Sequence, residues 1–166
     1  PELYKLYAEK QFTWDRTGGE PIKQGNRNVL LYRNIGADGI KTGHLSDSGY
    51  SLAATTKLND RRIISVISGT KSSSERTKES LKLINYAKIR YDLLKISKDI
   101  DIKIKSWNIN AGHVIGKLSD DLFITTEKRK KNKIEILAKV KEPIKSNIKK
   151  GDVLGKLEVY YDKELI

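Results

Sequence analysis

The residues best suited to chemistry are Lys41, Thr42, Gly43 and His44, which follow one another on one short segment. Together they offer a cation, a hydroxyl group and a piece of backbone without a side chain. Ammonium and hydroxyl groups both bind carboxylates, and glycine lets another backbone approach closely. The segment therefore suits an acyl substrate that carries a carboxylate.

Alternating apolar residues around this segment predict the elements that position it. Three antiparallel strands are expected, at residues 37–44, 50–56 and 62–68, with Asn59-Asp60 as the turn between the last two. Ser72 and Glu75 form a capping box, and the apolar spacing that follows predicts a helix to Asp92. That helix should cover one face of the sheet.

After Leu94 the apolar period changes to two, which predicts a small all-β sandwich. The segment Leu122–Thr126 is expected to pair with Ile134–Val140 as a hairpin. The basic run at residues 128–133 would then form its solvated tip. This interpretation is favoured over nucleic-acid binding, because no aromatic pair accompanies the run for base stacking.

Several short motifs carry a family resemblance, in the order Asn26-Arg27-Asn28, Lys41-Thr42-Gly43, Gly49-Tyr50, Glu75-Arg76 and Glu79-Ser80. Their order and spacing resemble the D-alanyl-D-alanine carboxypeptidases, the low-molecular-mass penicillin-binding proteins. Lys-Thr-Gly is one of three motifs of the serine enzymes in this group, beside S-x-x-K and S-D-N. The resemblance covers the first half of the chain continuously and the rest more loosely.

The resemblance implies an α+β fold: part of a penicillin-binding transpeptidase-like antiparallel sheet with a terminal helix, then a small all-β sandwich. Residues 1–92 would be the C-terminal part of the carboxypeptidase domain, and residues 93–166 the β-sandwich domain. Lys41, Thr42 and Gly43 would lie on an edge strand that binds substrate. The backbone N–H of His44 would help to form the oxyanion hole, and Arg76 would be a second cation for the substrate carboxylate.

The sequence departs from the family in its nucleophile, since no S-x-x-K motif precedes Lys41. Three later matches stand in the wrong order: Ser68 with Lys71, Ser146 with Lys149, and Ser106-Trp107-Asn108. No catalytic residue is therefore expected in this chain, which resembles the C-terminal portion of the enzyme and should be inactive alone. The alternatives are a non-catalytic, cell-wall-associated binding or spacer module, and a β-lactamase relative.

Composition limits the cofactors and partners. The chain has no cysteine and two histidines, so neither a metal site nor another cofactor is expected. The expected ligands are a peptidoglycan stem peptide or a β-lactam, and a second chain with the N-terminal half is a candidate partner. Nucleic acid is not expected. The net charge of +12 suits an anionic wall or membrane surface. The intact protein should be periplasmic or otherwise extracytoplasmic, and membrane-associated through an anchor outside this chain.

If residues 1–92 belong to a larger domain, one face of the sheet should lack its cover. The side chains expected to be exposed are those of Leu52, Ala54, Ile64 and Val66. Such an apolar surface favours association.

Overall fold

A computed structural model describes residues 2–16, 18–106, 109–110, 112–144 and 147–166. The chain divides into two compact units, with the boundary between Ile89 and Arg90. No helix in the described part of the chain combines the length and apolar character that crossing a membrane requires.

The first unit begins with a 3-10 helix, Glu2–Ala8, and a small hairpin formed by β1 (Gln11–Trp14) and β2 (Ile22–Gly25). A second 3-10 helix, Val29–Tyr32, leads into the main sheet. That sheet consists of β3 (Ala37–Leu45), β4 (Gly49–Leu58) and β5 (Arg61–Thr70), antiparallel and in this order. The three predicted strands are confirmed.

The turn between β4 and β5 is the predicted Asn59-Asp60 turn. Asn59 has a φ of 53°, a left-handed conformation that asparagine tolerates better than most residues.

Helix α1 (Ser73–Arg90) follows the sheet and begins at the predicted cap. The Ser72 hydroxyl accepts a hydrogen bond from the Glu75 N–H at 3.1 Å, and the Glu75 carboxylate accepts one from the Lys71 N–H at 2.8 Å. The glutamate thus reaches back one residue further than in the usual capping box. The Ser72 hydroxyl thus satisfies one of the N–H groups that a helix start leaves open, that of Glu75.

One face of the sheet packs under α1, and the core lies between them. Its buried members are Leu30, Leu52, Ala54, Ile63 and Ile84. The expectation that Leu52 and Ala54 are exposed was therefore wrong, because α1 itself covers them. Ile64 and Val66 point to the opposite face and are 64% and 68% exposed, as predicted.

The second unit contains short antiparallel strands. These are β6 (Tyr91–Ile96), β7 (Ile102–Lys105), β8 (His113–Gly116), β9 (Leu122–Glu127), β10 (Ile134–Val140), β11 (Gly155–Tyr161) and β12 (Glu164–Leu165). They form three small sheets, β6-β9, β7-β8 and β10-β11-β12. No α-helix occurs in the described residues after Arg90, and the α+β fold class is confirmed.

The predicted hairpin between β9 and β10 was wrong. Strand β9 pairs with β6, where Ile124 faces Leu94, and β10 pairs with β11, where Ile136 faces Val159. Lys128–Lys133 form a 3-10 helix between the two strands instead of a tight turn. Alternation fixes which face of a strand is buried but not which strand lies beside it.

The basic run is solvated, as predicted, and much of its charge is paired locally. Lys130, Lys131 and Lys133 form ion pairs with Glu127, Asp92 and Asp162 at 3.1, 3.2 and 2.7 Å. This local pairing leaves less of the charge for a phosphate backbone.

Candidate functional site

The segment from Lys41 to His44 lies on β3, which is an edge strand in the described part of the sheet. Strand β3 pairs with β4 on one side, with Lys41 opposite Ala53 and His44 opposite Tyr50. Its other edge carries no strand among the described residues. An edge strand of this kind presents backbone N–H and C=O groups to which an extended peptide can add.

Side chains alternate along β3, so the predicted site residues divide between the two faces of the sheet. Thr42 lies opposite Leu52, a core residue under α1, so Thr42 and His44 belong to the helix side. Lys41 and Gly43 belong to the other side. The Lys41 ammonium is exposed and donates a hydrogen bond to the Thr42 carbonyl at 2.8 Å.

The surroundings of Gly43 show that the fold itself does not demand glycine at this position. Of the described residues, a Cβ atom built there would contact only Ser51, whose Cβ lies at 3.7 Å, an ordinary van der Waals distance. At Gly39, by contrast, a Cβ atom would crowd the Tyr7 Cβ at 3.3 Å and the Tyr4 hydroxyl at 3.4 Å. The open strip beside Gly43 is therefore space that an extended ligand backbone could occupy.

The His44 imidazole packs on the Tyr50 ring across the strand pair. The ring centroids are 4.0 Å apart, and the ring planes are inclined by 31°. This contact helps to hold the C-terminal end of β3 against β4.

Arg76 lies in the first turns of α1 and is only 5% exposed. One guanidinium nitrogen donates to the Arg27 carbonyl at 3.2 Å, and the guanidinium carbon lies 5.8 Å from the centre of the Tyr50 ring. Its Nε has no hydrogen-bond partner within the part of the chain that the structure describes. Burial lowers the pKa of Arg76, but an arginine remains charged at neutral pH. A buried, incompletely satisfied cation is stabilised by an anion.

The Asn-Arg-Asn motif ties these parts together. The buried Asn28 side chain donates to the Gly39 carbonyl on β3 at 3.0 Å and accepts from the Leu30 N–H at 3.2 Å. The Asn26 side chain in turn accepts from the Asn28 N–H at 2.9 Å. Arg27, between the two asparagines, supplies the carbonyl that binds Arg76.

A polar cluster on the other face of the sheet was missed by sequence reasoning. Arg62 binds the Asp38 carboxylate through two nitrogens, and the hydroxyl groups of Tyr4 and Thr55 donate to the same carboxylate. The hydrogen bond from Arg62 is the main reason that the pKa of Asp38 falls to about 2. The cluster seats the first 3-10 helix against β3, next to the Lys-Thr-Gly segment.

The three serine candidates have different outcomes. Ser68 lies within β5, so it does not share a helical face with Lys71. Ser146, Trp107 and Asn108 lie outside the described residues. That the nucleophile is absent from this chain stays a prediction.

Two family models match the chain, one to each part. Residues 1–72 match the model for D-alanyl-D-alanine carboxypeptidase. Residues 93–166 match the model for the C-terminal domain of penicillin-binding protein 5.

Curated relatives carry the same names. The chain is 34% identical to the D-alanyl-D-alanine carboxypeptidase DacA of Haemophilus influenzae, over 98% of this chain and 41% of that protein. It is 41% identical to DacC of Escherichia coli over 52% of this chain and 20% of that protein. The chain thus spans less than half the length of these relatives.

Solved structures agree with the sequence comparisons. Penicillin binding protein 5 from Haemophilus influenzae superposes with a TM-score of 0.77 at 32% identity, covering 100% of this chain and 48% of that one. Penicillin binding protein 6B from Escherichia coli gives a TM-score of 0.67 at 25% identity, covering 100% and 42%.

These matches define a class, the penicillin-binding proteins with a C-terminal β domain. Within that class, the matching models and relatives support the interpretation of this chain as a part of a D-alanyl-D-alanine carboxypeptidase. The resemblance read from the sequence motifs is confirmed, and so is the predicted fold.

Proposed function

We propose that this chain supplies the substrate-binding strand and the C-terminal β domain of a serine-type D-Ala-D-Ala carboxypeptidase. The observation that carries the proposal is the Lys41-Thr42-Gly43 segment on an edge strand, beside space that the fold leaves open. Residues 1–92 would complete the substrate-binding wall of the catalytic domain, and residues 93–166 would be the β-sandwich domain.

The substrate is a peptidoglycan stem peptide that ends in D-Ala-D-Ala. Its extended backbone adds to the edge of β3 as a further strand. The missing side chain of Gly43 keeps this edge clear, and the exposed Lys41 ammonium holds the potential positive. A positive potential favours both the anionic end of the substrate and the oxyanion that forms during acyl transfer.

The remaining site residues act on the two charged parts of the substrate. The His44 N–H is one donor of the oxyanion hole. Thr42 and Arg76 bind the terminal carboxylate, and the buried Arg76 guanidinium is a cation that this anion neutralises. The start of α1 adds the favourable dipoles of its N-terminal N–H groups.

The reaction proceeds through an acyl-enzyme. A serine outside this set of residues attacks the carbonyl of the penultimate D-alanine, the peptide bond breaks, and the terminal D-alanine leaves with a proton. Water then attacks the ester, releases the shortened peptide and restores the serine hydroxyl. Penicillin acylates the same serine, because its strained amide is opened in the same way.

The proposed substrate places the protein outside the cytoplasm, where peptidoglycan lies. The charge of +12 favours attraction to anionic wall or membrane surfaces, without a specific site. Membrane attachment through an anchor outside these residues and a second chain carrying the N-terminal half both remain part of the proposal.

A chimera tests the proposal. In this protein, called the DacA chimera below, the 166 residues replace the matched part of the Haemophilus influenzae carboxypeptidase DacA. We expect the folded chimera to release D-alanine from a stem pentapeptide and to form a penicillin adduct. A chimera that is folded by circular dichroism but does neither, beside an active parent, would refute the proposal.

A further inference from the structure

The Tyr50 ring contacts two groups to which the proposed function gives separate tasks. His44, on β3, packs against the ring with a centroid distance of 4.0 Å. Arg76, on α1, places its guanidinium carbon 5.8 Å from the centre of the same ring. One aromatic side chain therefore connects the strand that holds the oxyanion donor with the helix that holds the carboxylate-binding cation.

The position of Tyr50 makes this connection rigid. Tyr50 lies directly opposite His44 in the register of β3 and β4. Its own carbonyl accepts a hydrogen bond from the Thr70 hydroxyl at 3.1 Å, which fixes β4 against the end of β5. The backbone below the ring is thus held from both neighbouring strands.

The guanidinium of Arg76 depends on this ring for its placement. Among the described residues, the guanidinium makes one hydrogen bond, to the Arg27 carbonyl, and its Nε has no partner. A planar guanidinium is oriented well by an aromatic face, which attracts the cation and restricts its rotation. Without the ring, the hydrogen bond at 3.2 Å would be the remaining directional contact of the guanidinium among the described residues.

We propose that Tyr50 is a positioning residue that sets the distance between the oxyanion donor at His44 and the cation at Arg76. It thereby determines the preference for a substrate with a free terminal carboxylate. This inference rests on the proposed function of the same site. The ring carries the effect, because the Tyr50 hydroxyl makes no hydrogen bond within the described part of the chain.

The test compares two ligands on the complete 166-residue chain. N-acetyl-D-Ala-D-Ala and its C-terminal amide are titrated while NMR follows the His44 amide and the Arg76 Nε–H. The unmodified chain should bind the carboxylate at least about tenfold more tightly than the amide, as expected for a charge-assisted contact. Both signals should report the same dissociation constant, since one ligand spans both groups.

Two substitutions separate the ring from the hydroxyl. Tyr50→Phe keeps both ring contacts and should keep the tenfold preference. Tyr50→Leu removes the aromatic face and should bind the two ligands with equal affinity. If Tyr50 had a merely structural role, this substitution would weaken the binding of both ligands equally and leave the ratio of their dissociation constants unchanged. A retained preference in Tyr50→Leu, or a lost one in Tyr50→Phe, would overturn the inference.

Arg76→Gln distinguishes this inference from the function on which it rests. If Arg76→Gln loses the preference and a folded Tyr50→Leu keeps it, the carboxylate role of Arg76 stands and the positioning role of Tyr50 falls. If the unmodified chain shows no preference, both fall. If Tyr50→Leu unfolds, the inference is tested on the unmodified chain and on Tyr50→Phe. Different dissociation constants from the His44 amide and the Arg76 Nε–H would then overturn it.

Discussion

Arg62 on β5 and Asp38 on β3 form a two-point ion pair that spans the width of the three-stranded sheet. Nη1 lies 2.7 Å from Oδ1, and Nη2 lies 2.8 Å from Oδ2. The Thr55 hydroxyl on β4 completes the bridge between the two outer strands. The pair fixes β3 only three residues before Lys41, so it supports the proposed binding edge.

The first prediction concerns acid. The hydrogen bond from Arg62 lowers the pKa of Asp38 from 3.8 to about 2, so the folded state favours the ionised carboxylate. The resulting stability is present above the ordinary pKa of 3.8 and is lost as the pH falls towards about 2. The Asp38→Asn variant should therefore not show this loss of stability between pH 4 and 2.

At neutral pH, Asp38→Asn should lower the free energy of unfolding by about 1 kcal/mol, because both partners are partly exposed. Urea unfolding at neutral and acid pH measures both changes in the free energy of unfolding. Hydrogen exchange in β3–β5 is measured beside it. Asp47→Asn in the turn after β3 is the control. Equal pH profiles for the original protein and Asp38→Asn would contradict the role of the pair.

The second prediction uses two glycines on neighbouring strands. Gly43→Ala should leave the free energy of unfolding unchanged or raise it by up to about 1 kcal/mol, since the new Cβ has room. Gly49→Ala should lower it by more than about 1 kcal/mol, because Gly49 has a φ of 69° and a Cβ there would meet the Thr70 carbonyl oxygen at 2.6 Å.

In the DacA chimera, Gly43→Ala should slow penicillin acylation although it does not weaken the fold. Chemical denaturation and acylation rates together provide the test. If acylation is unaffected by Gly43→Ala, the open strip beside Gly43 is not where the substrate backbone lies.

The sheet and helix of the first unit could be predicted because their signals are local. Alternation marks β3, β4 and β5, and Ser72 with Glu75 marks the start of α1. The Asp38–Arg62 pair could not be foreseen, since a bulge near Ala37 shifts the register that brings the two residues together.

The strand partners of the second unit could not be foreseen either. The alternation in β9 is satisfied equally by β6 or β10, and the choice depends on contacts distant in sequence. The motif residues of the candidate site could be predicted from the sequence. The contacts of the Tyr50 ring with both His44 and Arg76 could not, because they depend on how β3, β4 and α1 pack.

The third prediction is that the 166-residue chain alone forms no covalent adduct with a fluorescent penicillin. Acylation needs an activated serine, and Ser68 lies on a strand rather than on a helical turn with its lysine. Intact mass after incubation gives the answer. An adduct that maps to Ser68 or Ser146 would show that the nucleophile is in this chain.

The fourth prediction is self-association of the isolated chain. Ile64 and Val66 are exposed on the sheet face opposite α1. A groove of about 830 Å³ beside α1 adds apolar surface from Val29, Leu81 and Ile89. Exposed patches of this kind favour association.

Sedimentation velocity across protein concentrations should therefore show species larger than a monomer. The paired substitution Ile64→Thr with Val66→Thr should reduce association, since threonine keeps the strand preference and lowers the apolar area. A monomer at every concentration, with both units equally protected from hydrogen exchange, would count against this prediction.

The most direct test of the proposed site is the rate at which penicillin acylates the DacA chimera with and without the Lys41 ammonium. Lys41→Ala should slow acylation by about a hundredfold or more, because it removes a positive charge directed at the developing oxyanion. Lys57→Ala is the matched control, since Lys57 is an exposed lysine near the far end of β4. Its rate should stay within about twofold of the unmodified chimera. Equal rates for two folded variants, Lys41→Ala and Lys57→Ala, would contradict the assignment of β3 as the substrate-binding edge.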